Sequence, residues 1–225
     1  MKKNFKDLFN LTNRTAVVTG GLGILGKKFI EGLASCGVNI AIVDLDEKLC
    51  SEYSDFVKDQ YKINSIAVGC DISIPSNVDK AVNRIEKELG SIDILLNNAA
   101  TKGKNIEDFF KNLSDYKLET WREVMSVNLD GMFLFAQAAG SLMAKRKFGS
   151  IIQISSIYGP DMAPDQDIYL DSHYLGMPIN TPAVYSASKG GVIALTKYLA
   201  AYWGKDNVRV NSISPGGILS GQNEQ

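Results

Sequence analysis

The chain has one histidine, few cysteines and almost no net charge, and each shortage removes a class of function. His173 is the only histidine among 225 residues. It sits near Asp165, Asp167 and Asp171, a cluster that a polar surface loop explains, so no metal site is expected. Cys36, Cys50 and Cys70 are odd in number and lack metal-ligand spacing, which reads as reduced thiols rather than ligands or a disulfide. Lysine and arginine together number 24, against 25 aspartates and glutamates. A nucleic-acid or anionic-membrane partner would call for a basic excess, so neither is expected. Near the start no apolar stretch reaches secretory length, because Lys6, Asp7, Asn10 and Asn13 interrupt it. The expected location is the cytoplasm. There is also no internal repeat beyond a strand–helix alternation, no low-complexity segment and no linker.

What is present is a globular composition, 45% apolar and 22% charged, long enough for one sizeable core. One domain is expected over residues 1–225. Runs rich in β-branched residues at Thr15–Thr19, Asn39–Val43, Ser65–Val68, Asp93–Leu96, Ser150–Ile154 and Val208–Ile213 read as buried parallel strands. Between them the helical period predicts helices over Leu25–Ser35, Glu47–Gln60, Ser76–Leu89, Glu119–Lys145 and Tyr185–Tyr202, the fourth broken around Asn128. Repeated strand–helix units make an α/β, doubly wound parallel sheet of Rossmann type. Its strand ends share one crevice, and every motif described next falls at such an end.

Tyr185-Ser-Ala-Ser-Lys189 puts a phenol and an ammonium one helical turn apart, a pair that can make tyrosine an acid–base group. A phenol with pKa near 10 needs about 1.4 kcal/mol of preferential phenolate stabilisation for each unit of lowering. Gly21-x-Gly23-x-x-Gly26 follows a strand and opens a helix. The first glycine is expected to make the turn, the second to let a pyrophosphate approach and the third to let helix and strand pack. The phosphates would sit on the helix amino-terminus beside Gly21, Gly23, Leu25 and Gly26. Asp44 ends the second strand, where a carboxylate accepts both ribose hydroxyls and repels a 2′-phosphate, so NAD is favoured over NADP. Lys27 and Lys28 weigh slightly the other way.

Together with Asn97-Asn-Ala-Ala100, Val127-Asn-Leu129, Ile154-Ser-Ser156 and Ser214-Pro-Gly-Gly217, these motifs resemble the short-chain dehydrogenase/reductase family from Thr15 to Gly217. The resemblance implies strand order 3-2-1-4-5-6. It also implies a further substrate loop, helix and seventh strand, whereas this chain stops at Gln225 inside that loop, by truncation or because the loop is mobile. It implies that Tyr185 exchanges the substrate proton and that Lys189 supports it and holds the nicotinamide ribose. Ser156, with Ser155 as alternative, would hydrogen-bond the substrate oxygen. Asn128 would hold a water linking Lys189 to solvent, its plainer reading being a helix cap. Asp71 would contact adenine or else cap the helix near Pro75, and Asn98 and Ala99 would line the adenosine ribose. Pro215 and Gly216 would touch the cofactor.

The short branch of the family writes its glycines as Thr-Gly-x-x-x-Gly-x-Gly. Here the middle one falls at Gly23, as in the longer sugar-nucleotide-modifying branch, while Ser214-Pro-Gly-Gly217 and chain length favour the short branch. The expected activity is NAD-dependent interconversion of a secondary alcohol and a ketone. The alternatives are a sugar-nucleotide epimerase or dehydratase, and a non-catalytic NAD-sensing protein. Between Ser156 and Tyr185 lies a stretch about twice as long as usual for the family, an expected substrate-side insertion over about 157–184 holding Asp161, Asp165, Asp167, Asp171, Tyr158, Tyr169 and Tyr174. Its polar and aromatic groups suit a sugar-like small molecule, and its wording resembles bacterial flagellin-modification and surface-sugar oxidoreductases. Family habit implies a homodimer or homotetramer through helices carrying Asn128–Lys145 and Tyr185–Tyr202. Exposed apolar side chains at Met132, Phe133, Phe135 and Leu142 are expected there.

Overall fold

A computed structural model describes residues 9–174 and 176–219. Six parallel strands form the central sheet: β1 (Thr15–Thr19), β2 (Asn39–Asp44), β3 (Ser65–Gly69), β4 (Ile94–Asn97), β5 (Gly149–Ile154) and, last in the chain, β8 (Val208–Ile213). They lie in the order β3-β2-β1-β4-β5-β8, the expected 3-2-1-4-5-6 when sheet strands alone are counted. Helices α1 (Ile24–Ser35), α2 (Glu47–Tyr61), α3 (Pro75–Leu89), α5 (Leu118–Met125), α6 (Met132–Arg146) and α7 (Ala183–Trp203) connect or cover them. Strand boundaries match the expected ones within one residue at each end.

The strands read as unbroken apolar runs because both sheet faces are buried. β1 is buried along its whole length. Its side chains alternate: Ala16 and Val18 join Ile30, Ala34, Ile40, Ile42, Cys50 and Val57 under α1 and α2. Val17 faces the other core, where Ile85, Phe135, Met143, Leu199 and Trp203 come from α3, α6 and α7. Each such side chain contributes on the order of 1.5–3 kcal/mol by leaving water. Cys50 and Cys70 are fully inside, and burial pushes their thiols up to about 12 and about 11.

Two local signals set the helix ends. Asp46 caps α2 by accepting the Leu49 N–H, and Pro75 opens α3 in the first turn, where its missing N–H costs nothing. The register pairs Thr19 with Asn97 and Asn97 with Gln153, so the strands end level with one another. From β1 the chain winds outward to β3, and from β4 it winds the other way. The crevice at that switch point is where an open α/β sheet takes its ligand.

Three features differ from expectation. The long helix is widened rather than broken at Asn128: a π-helical segment, Ser126–Gly131, joins α5 to α6 with helical backbone angles on both sides. A one-turn helix α4 (Ile106–Phe109) and a small antiparallel hairpin, β6 (His173–Tyr174) with β7 (Met177–Pro178), lie in segments too short to show a period. Met132 and Phe135 are fully buried, because that helix turns them into the sheet core; Phe133 stays 40% exposed and Leu142 is half-buried. No helix among the described residues is long and apolar enough to cross a membrane.

Candidate active site

The turn from β1 into α1 builds the phosphate end. Gly20, not Gly21, makes it: Gly20 has φ +63°, and a Cβ there would stand 2.8 Å from Ala99 Cα. Gly21 packs instead under Ile42, whose Cγ2 would be 2.7 Å from its Cβ. Gly26 does what its position promised, since a Cβ there would lie 2.1 Å from the Gly20 carbonyl oxygen. Gly23 caps α1 without any side chain, and the first turn carries no acidic residue. The opening N–H groups, with Leu25 half-buried beside them, therefore have no partner within the helix and suit an anion. Lys28 is paired with Glu31, and Lys27 lies over the Tyr53 ring, so both cations have partners on the α1–α2 surface.

Asp44 closes the other side of this turn. Its Oδ2 accepts the Leu22 N–H at 3.0 Å and its Oδ1 the Leu45 N–H at 2.8 Å. A carboxylate has about four lone-pair sites, so two remain for a diol. The Asp71 carboxylate curls onto Ser73, accepting its N–H and hydroxyl, while α3 is preceded by Ile74 and has no side-chain cap. Asp71 therefore does not cap α3: it lies three residues before the N-cap position, Ile74, and its carboxylate is bonded to Ser73. Asn98 donates its amide to the Thr19 and Gly20 carbonyls. Its N–H and that of Ala99 both reach Thr19 Oγ1, which itself donates to Asn97 Oδ1. Thr19 and Asn97, which open the glycine and Asn-Asn-Ala-Ala motifs and were assigned no role from sequence, tie the glycine turn to β4.

At the end of β5 three groups converge. Lys189 is 3% exposed and donates Nζ to the Ile154 carbonyl at 2.8 Å. Burial pulls its ammonium down to about 8. Its Nζ lies 5.9 Å from the centre of the Tyr185 ring, one turn back on α7. Val184, Ser188, Val192, Thr196, Leu199 and Trp203 bury the same side of that helix. Tyr185 itself is half-buried against Phe109, Val124 and Val184. Ser155 spends its hydroxyl on the Lys189 carbonyl at 2.8 Å, whereas Ser156 Oγ accepts the Tyr158 N–H and keeps its own proton. Asn128, wholly buried, accepts the Thr101 N–H at 2.8 Å and donates back to its carbonyl, locking the π segment to the loop after β4. Widened turns of this type recur at functional sites.

Between β5 and α7 the chain closes over this end. Ile157 donates its N–H to the Pro215 carbonyl, and Gly216 lies against the Ile157 side chain. Tyr158, Tyr169 and Tyr174 are half-buried, while Asp161, Asp165, Asp167 and Asp171 are exposed. Asp165 caps a short helical turn, Gln166–Tyr169, and the charged side chains of this segment stay in water. Lys102 escaped sequence reasoning. Its Nζ sits 4.6 Å from the Tyr174 ring centre and 5.5 Å from that of Phe110, and burial lowers its pKa. It pins the hairpin to the loop after β4. A cleft of about 690 Å³ opens between residues 107–115 and 166–180, with Phe110 and Tyr169 in its wall. Among the described residues no three His, Cys, Asp or Glu side chains gather as a metal site.

Residues 14–225 match the family model described as short chain dehydrogenase. The chain is a short-chain dehydrogenase. It is similar to a sorbose reductase of Candida albicans, 31% identical over 98% of this chain and 72% of that protein. It is also similar to an NAD-dependent glycerol dehydrogenase of Listeria innocua, 31% identical over 97% and 76%. Among solved structures, a gluconate 5-dehydrogenase from Burkholderia cenocepacia with NADP and tartrate superposes with a TM-score of 0.83, at 29% identity over 98% of this chain and 78% of that one. An NAD⁺-bound xylitol dehydrogenase gives 0.78 at 28% identity over 91% and 70%. This short-chain dehydrogenase is an NAD(P)-dependent oxidoreductase acting on CH–OH groups of a small molecule.

Proposed function

We propose that the protein interconverts a secondary alcohol and a ketone on a sugar or sugar derivative, with NAD as cofactor. The observation that carries this is the convergence of the Ser156 hydroxyl, Tyr185 and the buried Lys189 at the end of β5. The relatives' names, reductases and dehydrogenases of sorbose, glycerol and xylitol, support the substrate class and favour this reading over an epimerase, a dehydratase or a sensor.

The residues present fit a dinucleotide: bare N–H groups at the start of α1, a Gly23 without a side chain in the way, and the spare lone pairs of Asp44. Gly21, Gly23, Leu25 and Gly26 hold the pyrophosphate, Asp44 the adenosine ribose, and Asp71, Asn98 and Ala99 line the adenosine side. Pro215 and Gly216 close the nicotinamide side. Asp44 and the engagement of Lys27 and Lys28 with other side chains favour NAD over NADP. Bound nicotinamide supplies or accepts the hydride. Ser156 donates to the substrate oxygen, and Tyr185 passes it a proton or takes one. Lys189, a cation near neutral pH in a dry setting, favours the phenolate and donates to ribose hydroxyls. Asn128 fixes the π segment beside Lys189 and holds the water that reloads it. The segment 157–184 is the substrate-side insertion of one domain.

Free thiols at Cys36, Cys50 and Cys70 support a cytoplasmic setting. The homo-oligomer reading now rests on exposed Phe133 and on Tyr198 and Tyr202, which stack on each other at 5.9 Å and are 64% and 57% exposed on α7.

The test is a spectrophotometric screen of NAD and NADH turnover against hydroxy and keto sugars, free, phosphorylated and nucleotide-linked. Tyr185→Phe is expected to keep NAD affinity and lower turnover by roughly 10²–10⁴. Retention of more than about a tenth of turnover removes Tyr185 from the mechanism.

A further inference from the structure

Tyr158 stands between the two groups that handle the substrate oxygen. Its N–H donates to Ser156 Oγ at 3.1 Å. The next residue, Gly159, has φ +121°, and a Cβ there would meet the Ser186 carbonyl oxygen at 2.4 Å and the Gly190 nitrogen at 2.8 Å. The backbone at Tyr158 therefore rests directly on the turn of α7 that carries Tyr185.

The phenol of Tyr158 is held from the far side. Tyr169 Oη donates to Tyr158 Oη at 3.4 Å, and Tyr169 Oη lies 2.6 Å from Thr181 Oγ1. Each hydroxyl has one proton to give. Since Tyr169 spends its proton on Tyr158, Thr181 must be the donor to Tyr169. The protons thus run from Thr181 through Tyr169 to Tyr158, whose own proton has no acceptor among the described residues. The relay is clamped by Gln166, whose amide both accepts the Thr181 N–H and donates to the Thr181 carbonyl. Tyr158 is the outlet of a polarised chain that begins at the start of α7 and ends beside Ser156.

We propose that Tyr158 is a specificity residue that donates a hydrogen bond to a substrate hydroxyl next to the reacting carbon, its proton aimed by Tyr169 and Thr181. This rests on the reading that Ser156 and Tyr185 handle the oxygen of a polyhydroxylated substrate. A phenol is ordinarily protonated at neutral pH, so Tyr158 remains a donor while Tyr185 exchanges its proton. The two tyrosines divide the work: one moves a proton and the other keeps it. A site built to pair with a hydroxyl discriminates against an analogue that lacks it, because a buried donor is then left unpaired.

The probes are pairs differing in one neighbouring hydroxyl: acetoin against butanone, and xylitol against its deoxy analogue at the adjacent carbon. Tyr158→Phe is expected to reduce the wild-type preference for the hydroxylated member, as a ratio of kcat/KM, about tenfold, with the other member changed less than about twofold. Tyr169→Phe should reduce the same ratio less, about threefold, and add nothing in the double variant. Equal losses on both members, or additive effects of the two tyrosines, overturn the inference and leave the proposed function standing. If Tyr158→Phe does not fold, Tyr169→Phe and Thr181→Val decide the outcome by the same ratio. A wild-type protein inactive on every pair and on the sugar panel, or full turnover by Tyr185→Phe, sinks the underlying reading instead.

Discussion

The glycine turn between β1 and α1 and the long segment between β5 and α7 are two ways of making a binding surface. At the turn the surface is backbone: Gly20 and Gly26 let two main chains approach closely, and the start of α1 presents N–H groups with no side chain needed. Between residues 157 and 182 the surface is side chain: two tyrosines, a threonine and a glutamine hold one another by hydroxyl and amide bonds, with little regular structure beneath. Backbone surfaces tolerate almost no change and bind a common group. Side-chain surfaces can be rebuilt, and that suits the part of the molecule that distinguishes substrates.

Substitution in the turn should give the largest effect. Gly26→Ala places a Cβ against the Gly20 carbonyl, which no flexible side chain can yield to, and should cost about 3 kcal/mol or more together with most NAD binding. Thermal unfolding with and without NAD measures both. An unchanged midpoint and affinity would erase the contrast between the two surfaces.

Lys189 sharpens the comparison from the other side, since its proposed role in proton transfer would be maintained against stability. Its pKa is about 8 in the fold and 10.5 ordinarily, so between these values the unfolded chain holds more protons and folding stability rises with pH. Below about pH 8 the full cost of the buried ammonium is felt. Lys189→Met should therefore abolish turnover yet stabilise the cofactor-free protein at pH 7 by about 2 kcal/mol, after subtracting the lost bond to Ile154, with the gain fading towards pH 10. Denaturant unfolding of both proteins across that range checks the sign. A gain that grows with pH would refute it.

The smallest effect is expected at Asp44, whose carboxylate steadies the turn and has the proposed role of accepting from the ribose. Asp44→Ala should lower the preference for NAD over NADP, as a ratio of kcat/KM, by about tenfold. If the wild type already prefers NADP, Asp44 acts only on the Leu22 and Leu45 N–H groups.

Much of the site was legible in advance because its parts are local. Tyr185 and Lys189 share one helix, Ser156 ends one strand, and Gly26 follows a strand at fixed spacing. Other assignments depended on contacts between distant parts of the chain. Gly20 rather than Gly21 takes the left-handed turn because Ala99, at the end of another strand, presses on it. The Ser155 hydroxyl is spent on a carbonyl that α7 brings to it, which favours the proposed role of Ser156. Met132 and Phe135 looked exposed on a helix read alone and are buried once the sheet lies beneath it.

The sequence by itself determined the doubly wound fold, its strand order through the family resemblance, and which polar residues stand at the ends of its strands. Apolar period and turn residues encode these within a few neighbours of each position. The tertiary structure alone decided which way each polar proton points. The relay from Thr181 through Tyr169 to Tyr158, the bridge from Asn128 to Thr101 and the pinning of the hairpin by Lys102 join residues 11 to 72 positions apart. Hydrogen-bond direction is set by what lies across the gap, and no pattern within one segment records it.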